Sequence, residues 1–346
     1  MNKTARGPCS SYIKRLRLTL YTIPVAYVEL SALDISNIQE PGAEEALAKQ
    51  IVGFINKNGF FHVTGHGLTD SQIRRQYALA SAIFDLPLDE KLKYTCDTAS
   101  GDFRGYKPRS TGTLAARDTD ERYNIAKFTA GHAHLSHPEI VQRHLAEIEA
   151  FSRHVHDAIL LPLLRAFAVA LELPDKNFFV SRHAYDAPGL EYLRYMKYHP
   201  RTREADTEVN NIWARGHTDY NTLTFLFHQP VAGLQVLTPA SETAPSEWRY
   251  VHSPRDAIIV NVADALEFLS GGYLRSTVHR VLRPPEEQAE QPRLSVVYFA
   301  RPQADVKLRP VESPLLKRLG LQREGESIGV DGVTAEGELS MSLSEC

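Results

Sequence analysis

The second half of the chain confines the fold more tightly than any other part. From Gly189 onward, short runs rich in β-branched and aromatic residues recur at 190–198, 212–227, 234–237, 248–251, 257–262, 276–282 and 294–299. Turn formers divide them, among them Val231-Ala232-Gly233, Ser253-Pro254-Arg255-Asp256 and Ser270-Gly271-Gly272. Many short strands with Gly/Pro punctuation predict a double-sheeted jelly roll. The first half has a different period. Leu47, Ile51, Phe54 and Ile55 form a helical stripe over 44–58, with Gly59 as its C-cap. Thr69 or Asp70 caps a second helix that runs through Phe84, and Pro87 ends it. Ile140, Leu145, Ile148, Phe151, Val155, Ile159, Leu163 and Phe167 mark a long helix that Pro162 kinks or splits. Strands are expected over 21–30 and 60–63.

Within the β-rich half stands W-A-R-G-H-T-D-Y-N-T-L-T-F-L-F, Trp213 to Phe227. Residues i and i+2 of a strand share a face, so His217 and Asp219 can reach one metal. A second imidazole is offered by His279 in S-T-V-H-R-V, and 279 − 217 = 62. Fourteen residues further on (293 − 279 = 14), Q-P-R-L-S-V-V-Y-F places Arg293 and Ser295 two apart on one strand face. Arginine's planar fork binds a carboxylate through two parallel hydrogen bonds, and a neighbouring hydroxyl adds a third. Two neutral imidazoles and one carboxylate suit ferrous iron and leave open positions for substrate and dioxygen. H-x-D alone arises by chance in many proteins; the four pieces in this order are far more specific.

That set resembles the 2-oxoglutarate- and iron(II)-dependent oxygenases, in the branch similar to isopenicillin N synthase. Ile23-Pro24-Val25, the run N-G-F-F-H-V-T-G-H-G-L from Asn58 to Leu68, and Leu86-Pro87 with Glu90-Lys91 look like the same family's N-terminal region. The resemblance spans roughly Ile23 to Pro302. It implies an α+β fold, mainly β, in which a double-stranded β-helix (jelly-roll) core carries N-terminal helices on one sheet. Four segments follow: a flexible extension at 1–20, the helical N-terminal region at 21–185, the core at 186–310 and a C-terminal segment at 311–346. A short helix over 315–319 would close over the site mouth.

The resemblance also implies roles. His217, Asp219 and His279 would hold Fe(II), and the keto-acid 2-oxoglutarate would chelate it ahead of O2. Arg293 and Ser295 would take the distal carboxylate of the keto-acid. Tyr198 in Y-M-K-Y-H-P would add a hydroxyl, unless the register turns His199 inward instead. Asp219 stands where halogenating relatives carry a small residue, which disfavours halogenation. The Gly- and Arg-rich loop over 101–113 and the segment E-R-Y-N after it would wall the substrate, through Arg104, Tyr106, Tyr123 and Asn124, with Phe299 from the core. Oxidative decarboxylation of 2-oxoglutarate to succinate and CO2 would then drive hydroxylation, desaturation or ring rearrangement of a small organic substrate in specialised metabolism. Two other readings stay open: an oxidase like isopenicillin N synthase that uses O2 without 2-oxoglutarate, and a non-catalytic jelly-roll binding protein.

Composition narrows the partners. The 39 basic and 42 acidic residues nearly cancel, which argues against a nucleic-acid partner held by phosphate contacts. Cys9, Cys96 and Cys346 show no paired spacing, so a disulfide framework is excluded and a reducing, cytoplasmic setting is expected. No apolar run is long enough to cross a bilayer. Lys3, Arg6, Lys14, Arg15 and Arg17 precede the first acidic residue, Glu29. Such a start suits a transit peptide or a disordered extension, and the extension is the simpler account. The histidines of G-H-A-H-L-S-H (131–137) lack cysteine or carboxylate partners in a ligand pattern and read as a solvated loop. A monomer acting on a small molecule is expected.

Overall fold

A computed structural model describes residues 25–98, 101–109, 119–240, 245–321 and 334. The extension at 1–20, the loop end at 110–113 and the chain beyond 321, residue 334 apart, lie outside them. The first half contains β1 (Ala32–Asp34), α1 (Ala43–Asn58), β2 (Phe60–Thr64), α2 (Asp70–Phe84), α3 (Leu88–Leu92), β3 (Gly105–Lys107), β4 (Asp120–Ala126), α4 (Glu139–Gln142), α5 (Leu145–His154) and α6 (Leu161–Ala170). The second half contains β5 (Tyr192–Tyr198), α7 (Arg203–Glu208), β6 (Ile212–His217), β7 (Leu223–Leu226), β8 (Leu234–Thr238), β9 (Glu247–Tyr250), β10 (Ile258–Val262), α8 (Asp264–Leu269), β11 (His279–Leu282), β12 (Arg293–Ala300) and α9 (Pro314–Arg318).

The strands form two sheets, ordered β1-β2-β10-β7-β12-β5-β4-β3 and β6-β11-β8-β9. This is the expected double-stranded β-helix, and strands β1 to β4 of the helical half extend its larger sheet. The strand expected over 21–30 is displaced. Tyr27 makes an isolated bridge to Tyr250, and regular pairing with β2 begins only at Ala32.

Helices cover the outer face of the larger sheet. Thr69 caps α2 in a capping box: its hydroxyl accepts from Gln72 N at 3.2 Å, and the Gln72 side chain accepts from Thr69 N at 2.9 Å. The α2 face then meets the sheet, where Tyr77 donates to the Phe227 carbonyl at 3.1 Å and Tyr195 donates to Gln76 at 2.6 Å. The main core lies between these layers and includes Phe61, Phe167, Phe225, Phe227 and Tyr298. Gly59 ends α1 with φ +64°; a Cβ there would lie 2.1 Å from the Arg275 carbonyl oxygen.

The long helix over 138–171 divides, and not at proline itself. A π-helical segment, Val155–Leu160, separates α5 from α6. Pro162 occupies the first turn of α6, where a missing N–H costs least, and the wide turn before it absorbs the mismatch. The short C-terminal helix forms as α9 but is no cover for the site. Ser313 caps it and donates to the Leu171 carbonyl, and Leu316 is fully buried in the main core. The helix is thereby docked on the end of α6.

Candidate active site

The inner face of the larger sheet looks toward the smaller sheet across a cavity of about 120 Å³. β6 ends at His217 and β11 begins at His279, and the two residues are direct antiparallel partners. Their rings lie 4.4 Å apart between centroids. Asp219 reaches them by a different route from the one expected. It sits in the bend after β6, not on the strand, and its Oδ1 lies 3.9 Å from Nε2 of each histidine. The bend is held locally. Asn221 donates to the Leu223 carbonyl at 2.6 Å and to Thr224 at 3.0 Å, and Asp264 N donates to the Asp219 carbonyl at 2.8 Å.

The donor chemistry of this cluster fits iron. Nδ1 of His217 lies 2.8 Å from the Arg215 carbonyl, and Nδ1 of His279 lies 3.2 Å from the Thr277 carbonyl. A carbonyl only accepts, so each Nδ1 carries a proton, and in the neutral imidazole that a ligand requires, Nε2 is the nitrogen left for a metal. Asp219 Oδ2 accepts from Thr224 at 2.7 Å and Asn261 at 3.0 Å, which leaves Oδ1 for the imidazoles. Burial pushes this carboxyl up, but the two imidazoles and both hydrogen bonds outweigh it and hold it below the usual carboxylate range. Burial holds His279 below the usual imidazole range, in the neutral form a ligand needs. Among the described residues this is the one cluster able to hold a metal ion in this way.

Arg293, Ser295 and Phe299 project from β12 into the cavity, and Tyr198 joins them from β5. The register pairs Arg293 with Tyr198 and Ser295 with Met196. The guanidinium carbon of Arg293 stands 5.4 Å from the centre of the Tyr198 ring. Arg293 donates from Nε to the Val231 carbonyl and from Nη1 to Ser295 Oγ, each at 3.2 Å. Gln229 joins both groups: its amide oxygen accepts from Arg293 Nη2, and its amide nitrogen donates to Ser295 Oγ. No motif marks Gln229, which follows His228 and precedes Pro230 in the connection after β7. Burial raises the Tyr198 hydroxyl to about 12, so it is a neutral donor. His199 points the other way, with Nε2 2.8 Å from Glu121, which resolves the register.

The expected substrate wall divides by strand parity. On β4, Arg122 lines the cavity, whereas Tyr123 faces the helices with its hydroxyl 2.8 Å from His137 Nδ1. Tyr106 is buried on that same side and donates to Glu121 at 2.6 Å, beside Lys91 Nζ, which donates to Glu121 at 2.7 Å. Arg104 closes a local fork on Asp102, both contacts 2.7 Å, and does not line the cavity. Asn124 acts indirectly: its amide oxygen accepts from Arg194 Nε at 2.8 Å, and its amide nitrogen donates to the Phe103 carbonyl. Arg194 and Phe299 do line the cavity. Arg194 was open to detection, because it precedes Tyr198 by four residues on one strand and so shares its face.

Fold and site together define a non-haem iron oxygenase of the jelly-roll class. The chain belongs to the 2OG-Fe(II) oxygenase superfamily, whose pattern residues 190–302 match. Residues 30–144 match the N-terminal family described as non-haem dioxygenase in morphine synthesis. The chain is 32% identical to the 2-oxoglutarate-dependent dioxygenase frbH of Dothideomycetidae sp. over 289 residues, 82% of this chain and 84% of that one. It is 30% identical to the 2-oxoglutarate-dependent dioxygenase gloE of Glarea lozoyensis, over 83% of this chain and 84% of that one. A full-length Neurospora crassa protein crystallised in complex with alpha-KG superposes with a TM-score of 0.76 at 22% identity, covering 93% of this chain and all of that one. The enzyme's cofactors are Fe(II) and 2-oxoglutarate. Among the described residues no helix is long and apolar enough to cross a membrane.

Proposed function

We propose that the enzyme couples oxidative decarboxylation of 2-oxoglutarate, to succinate and CO2, to oxidation of a small organic substrate in specialised metabolism. In this reading His217, Asp219 and His279 hold the iron. The fork of Arg293 and the hydroxyls of Ser295 and Tyr198 hold the distal carboxylate of the keto-acid. Bound iron supplies the redox chemistry with dioxygen. The chain's residues do the rest: Gln229 fixes the Arg293 fork and the Ser295 hydroxyl, and Met196, Leu234 and Val281 wall that end of the cavity with apolar surface.

The observation that carries the reading is convergence. Two imidazole nitrogens, one carboxylate oxygen and the Arg293–Ser295 pair open onto a single cavity. The names of the frbH and gloE relatives support 2-oxoglutarate as cosubstrate over an oxidase that omits it. The morphine-synthesis family over 30–144 supports specialised metabolism. Three cysteines without paired spacing support a reducing setting, and we infer a cytoplasmic monomer.

The test is succinate release by enzyme supplied with Fe(II), 2-oxoglutarate and oxygen. Release that requires all three is expected. Oxygen uptake that is indifferent to 2-oxoglutarate would favour the oxidase instead. Arg293→Lys keeps the charge but loses the fork, so KM for 2-oxoglutarate should rise by roughly ten- to a hundredfold with iron content unchanged.

A further inference from the structure

Three arginines of the substrate region differ in what they bind. Arg104 is paired with Asp102, and Arg122 with Asp120. Arg194 has no carboxylate partner among the described residues. Its Nε donates to Asn124 at 2.8 Å and its Nη2 to the Tyr192 hydroxyl at 3.1 Å, while Nη1 makes no hydrogen bond among those residues. The guanidinium carbon lies 5.1 Å from the centre of the Tyr192 ring and 4.8 Å from that of Phe299. Two rings and one amide therefore fix its plane. It lies deep in the fold, yet part of its surface stays uncovered and it lines the cavity. A cation held so far from solvent without an ion pair is costly to the fold, and an aromatic face offsets only part of that cost. An anion arriving from the cavity would complete it.

Position separates this group from the keto-acid anchor. β5 pairs with β12 so that Tyr198 faces Arg293 while Arg194 faces Val297. Four residues of strand put the two backbone positions roughly 13 Å apart along the sheet. Thr224, which donates to Asp219, is the partner of Phe299, so the candidate metal centre lies at the Arg194 end. Around it the wall is apolar, with Phe60, Leu226, Val297 and Phe299.

We propose that Arg194 is the substrate anchor and that the substrate is a compact, largely apolar carboxylic acid whose carboxylate meets Arg194. This rests on the 2-oxoglutarate-dependent reading above. The anchored carboxylate would hold one carbon of the apolar body toward the metal centre, and Asn124, Tyr192 and Phe299 set the fork that receives it.

The experiment uses enzyme loaded with Fe(II) and saturating 2-oxoglutarate under argon. Benzoate and phenylacetate are titrated calorimetrically, each against its own carboxamide. At least one acid should bind the wild type roughly ten- to a hundredfold more tightly than its amide, the scale of a charge-assisted hydrogen bond. Arg194→Gln should abolish that preference and Arg194→Lys, which keeps the charge but loses the fork, should keep part of it, with 2-oxoglutarate affinity unchanged in both. Absence of acid preference for both pairs in the wild type overturns the proposal, as does a preference that survives in Arg194→Gln. If the Gln variant does not fold, loss of the preference in Arg194→Lys that equals its loss of 2-oxoglutarate affinity overturns it too. Failure of the underlying reading is seen separately, as wild type that binds no 2-oxoglutarate.

Discussion

The two faces of β12 and β5 are built from the same pair of strands and do opposite work. Leu294, Val296 and Tyr298 point into the main core with Leu193 and Tyr195, against the helices. Arg293, Ser295, Val297 and Phe299 point into the cavity with Arg194, Met196 and Tyr198. Side-chain alternation alone separates them. One face supplies apolar area and hence stability; the other spends burial on polar groups that a fold would not otherwise choose to enclose. Substitutions on the two faces should therefore fail in different ways.

The largest effect belongs to the cavity. His217→Ala, Asp219→Ala and His279→Ala should each abolish succinate formation while the unfolding midpoint changes little, because a metal centre fails with the loss of one ligand. Near-wild-type turnover in one of them would remove that residue from the site. The opposite phenotype is expected on the other face. Phe225 is fully buried beside Tyr298, with ring centres 6.3 Å apart. Phe225→Ala should cost about 3–5 kcal/mol of stability by denaturant unfolding, with succinate formed per folded molecule retained. Equal loss of activity and stability would blur the two faces.

A pH experiment sharpens the comparison, because the helix face also holds a buried charge. Burial pushes Glu121 up, but hydrogen bonds from His199, Lys91 and Tyr106 prevail and bring it down to about 2 from an ordinary value of 4.5. A depressed acid stabilises the fold above its unfolded-state pKa, and that stability is lost as pH falls from about 4.5 toward 2. Wild type should lose stability across that window, and Glu121→Gln, already less stable at neutral pH, should lose less of it. Parallel acid limbs would show that the network contributes nothing. The smallest effect is expected at Arg104→Ala. Its fork on Asp102 is partly exposed, and such pairs contribute about 0–1 kcal/mol. Succinate yield and its coupling to product should match wild type; uncoupled turnover would return Arg104 to the substrate wall.

The candidate site is more legible in the sequence where chemistry needs a spaced motif than where it needs a shape. His217, His279, Arg293, Ser295 and Tyr198 stood out because residue type and spacing together are rare. Asp219 stood out for the same reason, although the geometry behind it is a bend braced by Asn221 and Asp264, not strand alternation. Tyr106 and Tyr123, expected in the substrate wall, face the helices, because the motif they lie in does not set the parity of the strand. Tyr123 is one step from Arg122 and Asn124, and one step in a strand reverses the face. Arg194 was legible by parity with Tyr198 on one strand, whereas Gln229 belongs to no motif: its place beside Arg293 and Ser295 depends on which segments lie side by side, and pairing between distant segments is not written in either one. The π turn before Pro162 is likewise a product of packing, since the apolar period runs through it unbroken.

The proposed function requires that His217, Asp219 and His279 form one iron centre. Metal analysis after anaerobic loading with Fe(II) and removal of excess tests it most directly. One iron per chain in the wild type, lost in His217→Ala and in His279→Ala while both variants keep the wild-type circular dichroism spectrum, is the result predicted. Unchanged iron content in either variant would contradict it.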